Sequence, residues 1–332
     1  EIHPSRIPAE YWKQRIQMIK AMGCNTVACY IMWNYHESEP GVFDFQTGNK
    51  NLEKFIQTVQ DEGMFLLFRP GPYVCGEWDF GGLPPYLLSI PDIKIRCMDT
   101  RYTAAVERYV DKIAPIIKKY EITNGGPIIM VQVENEYGSY GNDRTYMKWI
   151  HDLWRDKGIG VPFYTADGAT PYMLEAGTLP GVAIGLDPAA SKAEFDEVLK
   201  VHPDASVFCS ELYPGWLTHW RENWQHPSIE KITTDVKWLL DNGKSFNYYV
   251  IHGGTNFGFW AGANSPQPGI YQPDVTSYDY DAPINEMGQT TPKYMALREL
   301  TQKYSKKKLA PIPAPIPVIT FPATETQKYA SI

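Results

Sequence analysis

Short apolar segments alternate with segments of helical periodicity along most of the sequence, and this alternation restricts the fold more than any other feature. Seven apolar runs bounded by turn residues are typical of buried parallel strands. They cover residues 26–33, 65–69, 128–133, 162–166, 182–186, 206–210 and 246–251. Residues 1–3 predict an eighth strand. Eight strands separated by helices are compatible with a (β/α)8 barrel or with a doubly wound sheet.

The segments between the strands carry apolar stripes at the spacing i, i+3, i+4, i+7 of a helix face. The clearest stripe consists of Leu52, Phe55, Ile56 and Val59. No G-x-G-x-x-G motif follows the first strand, which argues against a dinucleotide-binding doubly wound sheet. Polar residues follow several strands, and in a barrel those strand ends converge on one site. We therefore predict an α/β fold, a (β/α)8 TIM barrel, for residues 1–308.

The sequence changes character after the last helical stripe. Residues 310–317 read APIPAPIP, which is too rich in proline for a helix or a central strand. We predict that residues 309–332 form a proline-rich linker and the start of a C-terminal β module that the chain does not contain.

Charge and motif content argue against several classes of function. A net charge of −7 disfavours nucleic-acid binding, which needs a basic surface. No run of 18 apolar residues occurs, so we expect no membrane span. The seven histidines lack HxxxH or HExxH spacing, and neither a G-x-S-x-G nor a Walker motif is present. We expect no metal and no cofactor. Among the five cysteines, a disulfide between Cys75 and Cys97 stays open.

Two predicted strands end in glutamates that suit glycoside hydrolysis. This reaction uses two carboxyl groups beside the scissile bond, one protonated and one ionised. The fourth predicted strand leads into Glu134-Asn135-Glu136, and the seventh leads into Glu211. Repulsion between neighbouring carboxylates raises the pKa of one of them, which then keeps its proton. Other strand ends supply polar groups suited to a polyhydroxylated ligand: Asn34, His36, Glu37, Tyr73, Asp79, Asp167, Asp187, His252, Thr255 and Asn256.

Five motifs in order along the chain resemble glycoside hydrolase family 35. They are RPGPYVCGEWDFGGLPPYLL (69–88), GGPIIMVQVENEYGSYG (125–141), SELYPGWLTHW (210–220), HGGTNFGFWAGAN (252–264) and TSYDYDAP (276–283). The resemblance runs from residue 1 to about residue 304. It implies a (β/α)8 barrel and a retaining exo-β-galactosidase that forms a covalent galactosyl-enzyme. In this family pattern Glu136 is the acid/base and Glu211 is the nucleophile.

The same resemblance implies a set of contacts to galactose. The implied substrate-binding residues are Tyr30, Cys75, Gly76, Glu77, Asn135, Trp216, Tyr249 and Tyr280. Asn135 would bond the sugar 2-OH, and Glu77 would accept hydrogen bonds from a pair of hydroxyls. Tyr280 would steady the nucleophile, and Trp216 would form a sugar-facing wall.

Each of these assignments has a structural alternative that the residues leave open. Glu136 and Glu211 could instead belong to a structural ion pair at the barrel mouth, and Glu134 could exchange roles with Glu136. Glu77 could pair with an arginine such as Arg69, and Tyr249 and Tyr280 could be core residues. Cys75 and His252 could have no role in the chemistry.

Alternatives also remain for the function itself. One is a related exo-glycosidase acting on β-glucosaminides with the same carboxylates. The other is a galactoside-binding protein without activity, which predicts the loss of a carboxylate, whereas both glutamates are present. By resemblance we expect a secreted, periplasmic or lysosomal protein rather than a cytoplasmic one, and a homo-oligomer would form through C-terminal domains absent from this chain. Departures from the family pattern at EIHPSRIP, CGEW and SELY leave the preferred linkage open.

Overall fold

A cylinder of parallel strands forms the centre of the molecule in the computed structural model, which describes residues 1–325. The strands are β1 Thr26–Tyr30, β2 Phe65–Arg69, β3 Ile128–Gln132, β4 Phe163–Asp167, β5 Ala183–Leu186, β6 Val207–Leu212 and β7 Phe246–Tyr248. Each pairs in parallel with the next strand along the chain. This order and the intervening helices confirm the predicted α/β barrel.

The N-terminal residues close the cylinder between its first and last strands. The backbone N–H of Ile2 donates to the carbonyl of Ala28 on β1 at 3.0 Å. On the other side, the backbone nitrogen of Glu1 donates to the carbonyl of Tyr248 on β7 at 2.8 Å. The predicted first strand is therefore wrong as a regular strand but right in position. Residues 1–3 form no regular strand, yet they fill the eighth place in the barrel.

Helices cover the outside of the barrel. They are α1 Trp12–Ala21, α2 Leu52–Asp61, α3 Thr100–Lys119, α4 Arg144–Asp156, α5 Pro171–Gly177, α6 Lys192–Val201, α7 Ile229–Asp241 and α8 Pro292–Tyr304. Shorter helical segments lie at Trp33–His36 and Tyr137–Tyr140, and 3-10 turns at Pro4–Arg6, Ala9–Tyr11, Gly48–Lys50, Asp79–Gly82, Pro85–Ser89 and Ile122–Asn124. Small hairpins pair Glu37–Glu39 with Val42–Phe43 and Ala263–Asn264 with Gln272–Pro273.

The apolar stripe of α2 shows how the sequence fixes this packing. The Asn51 side chain accepts from the backbone N–H of Lys54 and so caps the first turn of the helix. All four stripe residues named above are buried against the barrel. Phe55 is fully buried and meets Trp12 of α1 edge to face, with ring centroids 5.3 Å apart. Burying one such ring contributes about 1.5–3 kcal/mol.

Several strand boundaries differ from the sequence prediction by one to three residues. The first long apolar run ends as a strand at Tyr30, because Trp33 begins a short helix that turns Asn34 and His36 inward. The strand predicted at 206–210 extends to Leu212, so Glu211 lies within β6 rather than after it.

The C-terminal part of the described chain has a different structure from the barrel. Residues 305–325 contain no helix or strand. The predicted linker and β module extend into residues 326–332, which lie outside the described residues, and the domain boundary stays a prediction. No helix within residues 1–325 is both long enough and apolar enough to cross a membrane.

Candidate active site

Carboxyl groups meet at one end of the barrel because the parallel strands all end there. Glu136 follows β3, Asp167 ends β4, Asp187 follows β5 and Glu211 lies near the end of β6. Four consecutive strands thus each bring an acid to the same mouth. Three of these acids are buried, and Glu136 is partly accessible.

Glu211 is surrounded by fixed hydrogen-bond donors. Arg69 of β2 forms an ion pair with its Oε1. The hydroxyl of Tyr30 lies 2.8 Å from the same oxygen, and the hydroxyl of Tyr213 donates to Oε2 at 3.0 Å. Charge-assisted hydrogen bonds of this kind are short and strong, and they hold a carboxyl group in one orientation. The Glu211 side chain is 5% exposed, so little water competes for these donors.

Arg69 lies between two acids, Glu211 and Glu1, and forms an ion pair with each of them. Its Nη1 bonds the carboxylate of Glu1 at 2.5 Å, and its Nε donates to Gln132 at 2.6 Å. The guanidinium lies 3.9 Å from the ring centroid of Tyr30. A guanidinium with its donors occupied in this way is held in one orientation. The pairing of Glu77 with Arg69, left open from the sequence, is wrong because Arg69 pairs with Glu1 and Glu211.

Glu136 has an environment opposite to that of Glu211. Burial raises its pKa to about 7, and the negative charges of Glu211 and Glu77 add to this effect. The side-chain amide of Asn135 donates to its Oε2 at 3.2 Å. A carboxyl group with a pKa near neutrality can hold a proton and release it, as general acid–base catalysis requires.

Glu134 is directed away from this pair although it lies only two residues from Glu136. Both residues have left-handed backbone angles, with φ of 61° and 44°, so they do not share a face as they would in a regular strand. The carboxylate of Glu134 accepts from Arg96 Nε at 3.1 Å and Nη2 at 2.6 Å. It also accepts from the Tyr146 hydroxyl at 2.9 Å. Glu134 is therefore the fixed anion of a buried ion pair.

Asn135 connects the two glutamates. Its Oδ1 accepts from Gln132 at 2.8 Å and lies 2.8 Å from the hydroxyl of Tyr30. The single proton of Tyr30 is thus shared between Asn135 and Glu211, since a hydroxyl donates one hydrogen bond at a time. The amide group of Asn135 is held with its nitrogen toward Glu136.

Aromatic rings form the wall on the side of β7. Tyr249 and Tyr280 are each about 4% exposed or less, and their ring centroids are 5.9 Å apart. Trp216 is 44% exposed and stands 6.2 Å from the Tyr280 ring. The expected support of Glu211 by Tyr280 is not found among the described contacts; Tyr30 and Tyr213 have that role instead.

Cys75, Gly76 and Glu77 form a loop after β2, and Gly76 in this loop lies beside the hydroxyl of Tyr249 and the ring of Tyr30. Burial raises the pKa of the Glu77 carboxyl to about 7, and this carboxyl accepts a hydrogen bond from the Tyr278 hydroxyl. The Cys75 thiol is free, as is Cys97, so the disulfide left open from the sequence is not formed. Burial also raises the pKa of the Cys75 thiol, which disfavours the reactive thiolate.

The described residues contain no cluster of three or more histidine, cysteine or acidic side chains able to hold a metal ion. The described mouth is instead built from carboxyl groups, amides, phenols and an arginine.

Comparison with known families agrees with this geometry. Residues 1–304 match the profile of the family described as glycosyl hydrolases family 35. The chain belongs to this family. Its relatives include proteins named beta-galactosidase from Bos taurus and Xanthomonas manihotis, each 39% identical over 100% of this chain. A human beta-galactosidase is 38% identical, again over the whole chain.

The chain spans about half the length of these family 35 relatives, covering 51% of the bovine, 56% of the Xanthomonas and 49% of the human protein. Among solved structures, a beta-galactosidase from the psychrophilic Marinomonas ef1 aligns with a TM-score of 0.58 and 11% identity, over 91% of this chain and 58% of that one. A GH5_18 protein from Streptomyces cattleya in complex with GlcNAc aligns with a TM-score of 0.60 and 12% identity, over 96% and 81%. At these identities the two structures show a shared fold.

Sequence reasoning did not assign three residues of this family 35 site. Arg69 and Tyr213 bond Glu211, and Tyr278 bonds Glu77. A signal existed for both tyrosines, because Tyr213 lies two residues after Glu211 in SELY and Tyr278 lies two residues before Tyr280 in TSYDYDAP. For Arg69 the signal is its position at the end of a buried strand. A buried charge without a partner is costly, so this position implies an acidic partner in the barrel.

Proposed function

We propose that this protein is a retaining exo-β-galactosidase that releases terminal non-reducing β-D-galactose from oligosaccharides or glycoconjugates. The proposal rests above all on one observation: Glu136 meets Glu211 at the mouth of the barrel, where three donors hold the Glu211 carboxyl group in place. The choice of galactose as the sugar is supported by the family 35 relatives, which are named beta-galactosidase.

The first chemical step joins the enzyme to the sugar. Glu211 attacks the anomeric carbon of galactose and forms an ester bond, while the bond from that carbon to the leaving-group oxygen breaks. Glu136 gives its proton to this oxygen, so that the leaving group departs as a neutral alcohol. Retention requires the two carboxyl groups to lie about 5–5.5 Å apart, so that the nucleophile reaches the carbon directly.

The second step reverses the roles. Once Glu211 is an ester it carries no charge, so the repulsion that helps to raise the pKa of Glu136 disappears. Glu136, now ionised, takes a proton from water, and the resulting hydroxyl oxygen attacks the anomeric carbon. The ester bond breaks, Glu211 is released as a carboxylate, and galactose leaves with its original configuration.

The surrounding residues are proposed to recognise the sugar. Asn135, oriented by Tyr30 and Gln132, would bond the 2-OH, where contacts strengthen at the transition state. Glu77 with the backbone of Cys75 and Gly76 would bind hydroxyls on the other side of the ring. The larger rings are proposed to enclose the galactose: Tyr249, Tyr280 and the exposed face of Trp216.

The test is a panel of nitrophenyl β-glycosides that differ only in the sugar, with the configuration of the first product followed by proton NMR. We expect the galactoside to have the highest kcat/KM and β-galactose to appear before mutarotation. A preference for the β-glucosaminide would assign the carboxylate pair to a different sugar, and initial α-galactose would refute the retaining mechanism. Glu211→Gln is the matched control, which we expect to leave the fold intact and to abolish turnover.

A further inference from the structure

The loop that carries Glu77 has an unusual backbone. Cys75, Gly76 and Glu77 have φ values of 59°, 62° and 47°, three left-handed residues in succession. For residues other than glycine this conformation costs of order 1 kcal/mol or more, and it persists only where neighbouring groups enforce it. The position of the Glu77 carboxylate therefore depends on whatever holds this loop.

Arg6, on the N-terminal turn that precedes α1, holds the middle of the loop. Its Nη2 donates to the carbonyl of Gly76, and its Nε donates to Asn256 Oδ1 at 2.7 Å. Its Nη1 lies 2.8 Å from Nδ1 of His3. Burial lowers the pKa of His3 to about 4, so at neutral pH the ring is uncharged and this nitrogen accepts the bond. Arg6 is 1% exposed, so these protein groups replace water around its charge.

Arg6 also contacts the tyrosine that orients the Glu77 side chain. The guanidinium carbon lies 3.7 Å from the ring centroid of Tyr278, close enough for a cation–π contact. The hydroxyl at the far end of that ring donates to the Glu77 carboxylate. One buried guanidinium thus fixes both the backbone of the loop, through Gly76, and the side chain at its end, through Tyr278.

We propose that Arg6 is a positioning residue for sugar recognition, which sets the place and orientation of the Glu77 carboxylate without touching the substrate. This inference rests on the proposed function, in which Glu77 accepts hydrogen bonds from hydroxyls of the bound sugar. Lysine cannot substitute for Arg6, because one ammonium group cannot reach three acceptors in a plane while stacking on a ring. A displaced carboxylate loses its contacts to particular hydroxyls and leaves the chemistry at Glu136 and Glu211 in place.

The test compares Arg6→Lys, Glu77→Gln and Arg15→Lys on whichever aryl glycoside the wild type hydrolyses and on its singly deoxygenated analogues. Arg15→Lys is the matched control, since Arg15 is also a buried arginine but contacts Gln14 and His252. We expect Arg6→Lys to lower kcat/KM about 10- to 100-fold, mainly through KM, on the parent glycoside. One analogue lacks the hydroxyl that Glu77 binds. On that analogue we expect the loss of kcat/KM to shrink to a few fold for Arg6→Lys, and likewise for Glu77→Gln.

Equal losses on every analogue, or behaviour like Arg15→Lys, would overturn the inference, because a general structural role does not select one hydroxyl. Should Arg6→Lys be insoluble, Asn256→Ala provides the same test, as it removes the acceptor that orients Nε of Arg6. The same selective loss is expected, and its absence counts against Arg6. Inactivity of the wild type on the galactoside would instead count against the proposed sugar, with the analogues then built on the preferred glycoside.

Discussion

Replacing Glu211 by glutamine should lower the pKa of Glu136. The wild-type value is about 7 against an ordinary value of 4.5, with burial as the largest cause and the charge of Glu211 as the second. At the 5–5.5 Å separation of a retaining pair, and with an effective dielectric constant near 20, the repulsion amounts to roughly 3 kcal/mol. That energy corresponds to about 2 pKa units. Water at the partly accessible Glu136 screens some of this repulsion, so we expect a fall of about 1 to 2 pKa units.

The measurement is a carbon-13 NMR titration of protein labelled at the glutamate carboxyl carbons, with Glu136→Gln used to assign the resonance. A second perturbation removes the same charge without mutation: trapping Glu211, the proposed nucleophile, with a 2-deoxy-2-fluoro galactoside should lower the pKa of Glu136 by a similar amount. Glu37→Gln is the control, since Glu37 is a buried acid paired with Arg108 on another side of the barrel. An unchanged pKa in both Glu211→Gln and the trapped enzyme would show that burial alone sets it, and the proposed exchange of acid and base roles would fail.

Three other outcomes can be checked with single variants. Glu136→Ala should lose far more activity on lactose than on a nitrophenyl galactoside, with partial rescue by azide, because a good leaving group needs little proton donation; equal losses would place the proton donor elsewhere. Glu136→Gln should be more stable than the wild type at pH 8 by about 1–2 kcal/mol but not at pH 4, measured by urea unfolding. The sign follows from the raised pKa: the folded state binds this proton more tightly, so the stabilisation present below pH 4.5 is lost as the pH rises through about 7. Phe55→Ala should cost about 3–5 kcal/mol, whereas Phe65→Ala, at a residue that is 43% exposed, should cost much less; similar costs would contradict the packing described for α2.

The architecture was predictable because both of its elements leave strong patterns. Strands buried on both faces are continuously apolar, and the helices outside them carry one apolar stripe. The segment in the eighth place of the barrel was harder to predict. Residues 1–3 show no periodicity, and their partners, Ala28 and Tyr248, lie in other strands of the barrel.

The two central glutamates were predictable as strand-end acids, but their environment was not. Arg69 and Glu211 are separated by 142 residues, and their contact depends on how β2 and β6 face each other across the barrel. The register of β1 and β2 places Tyr30 opposite Arg69, which brings both side chains to Glu211. The sequence of one strand alone does not determine its register with the neighbouring strand. The choice between Glu134 and Glu136 likewise depends on left-handed backbone angles that a strand prediction does not contain.

Because residues Glu1–His3 close the barrel, enzymatic activity should depend on the order in which the parts of the chain fold. Glu1 bonds β7 through its backbone and, through its carboxylate, the arginine beside Glu211, while its own position depends on a contact 247 residues away. During synthesis Glu211 therefore cannot acquire its final surroundings until β7 has emerged and met residues 1–3. Activity would then be detected only when the cylinder is completely closed. A partly folded chain with most of its helices in place would show no activity.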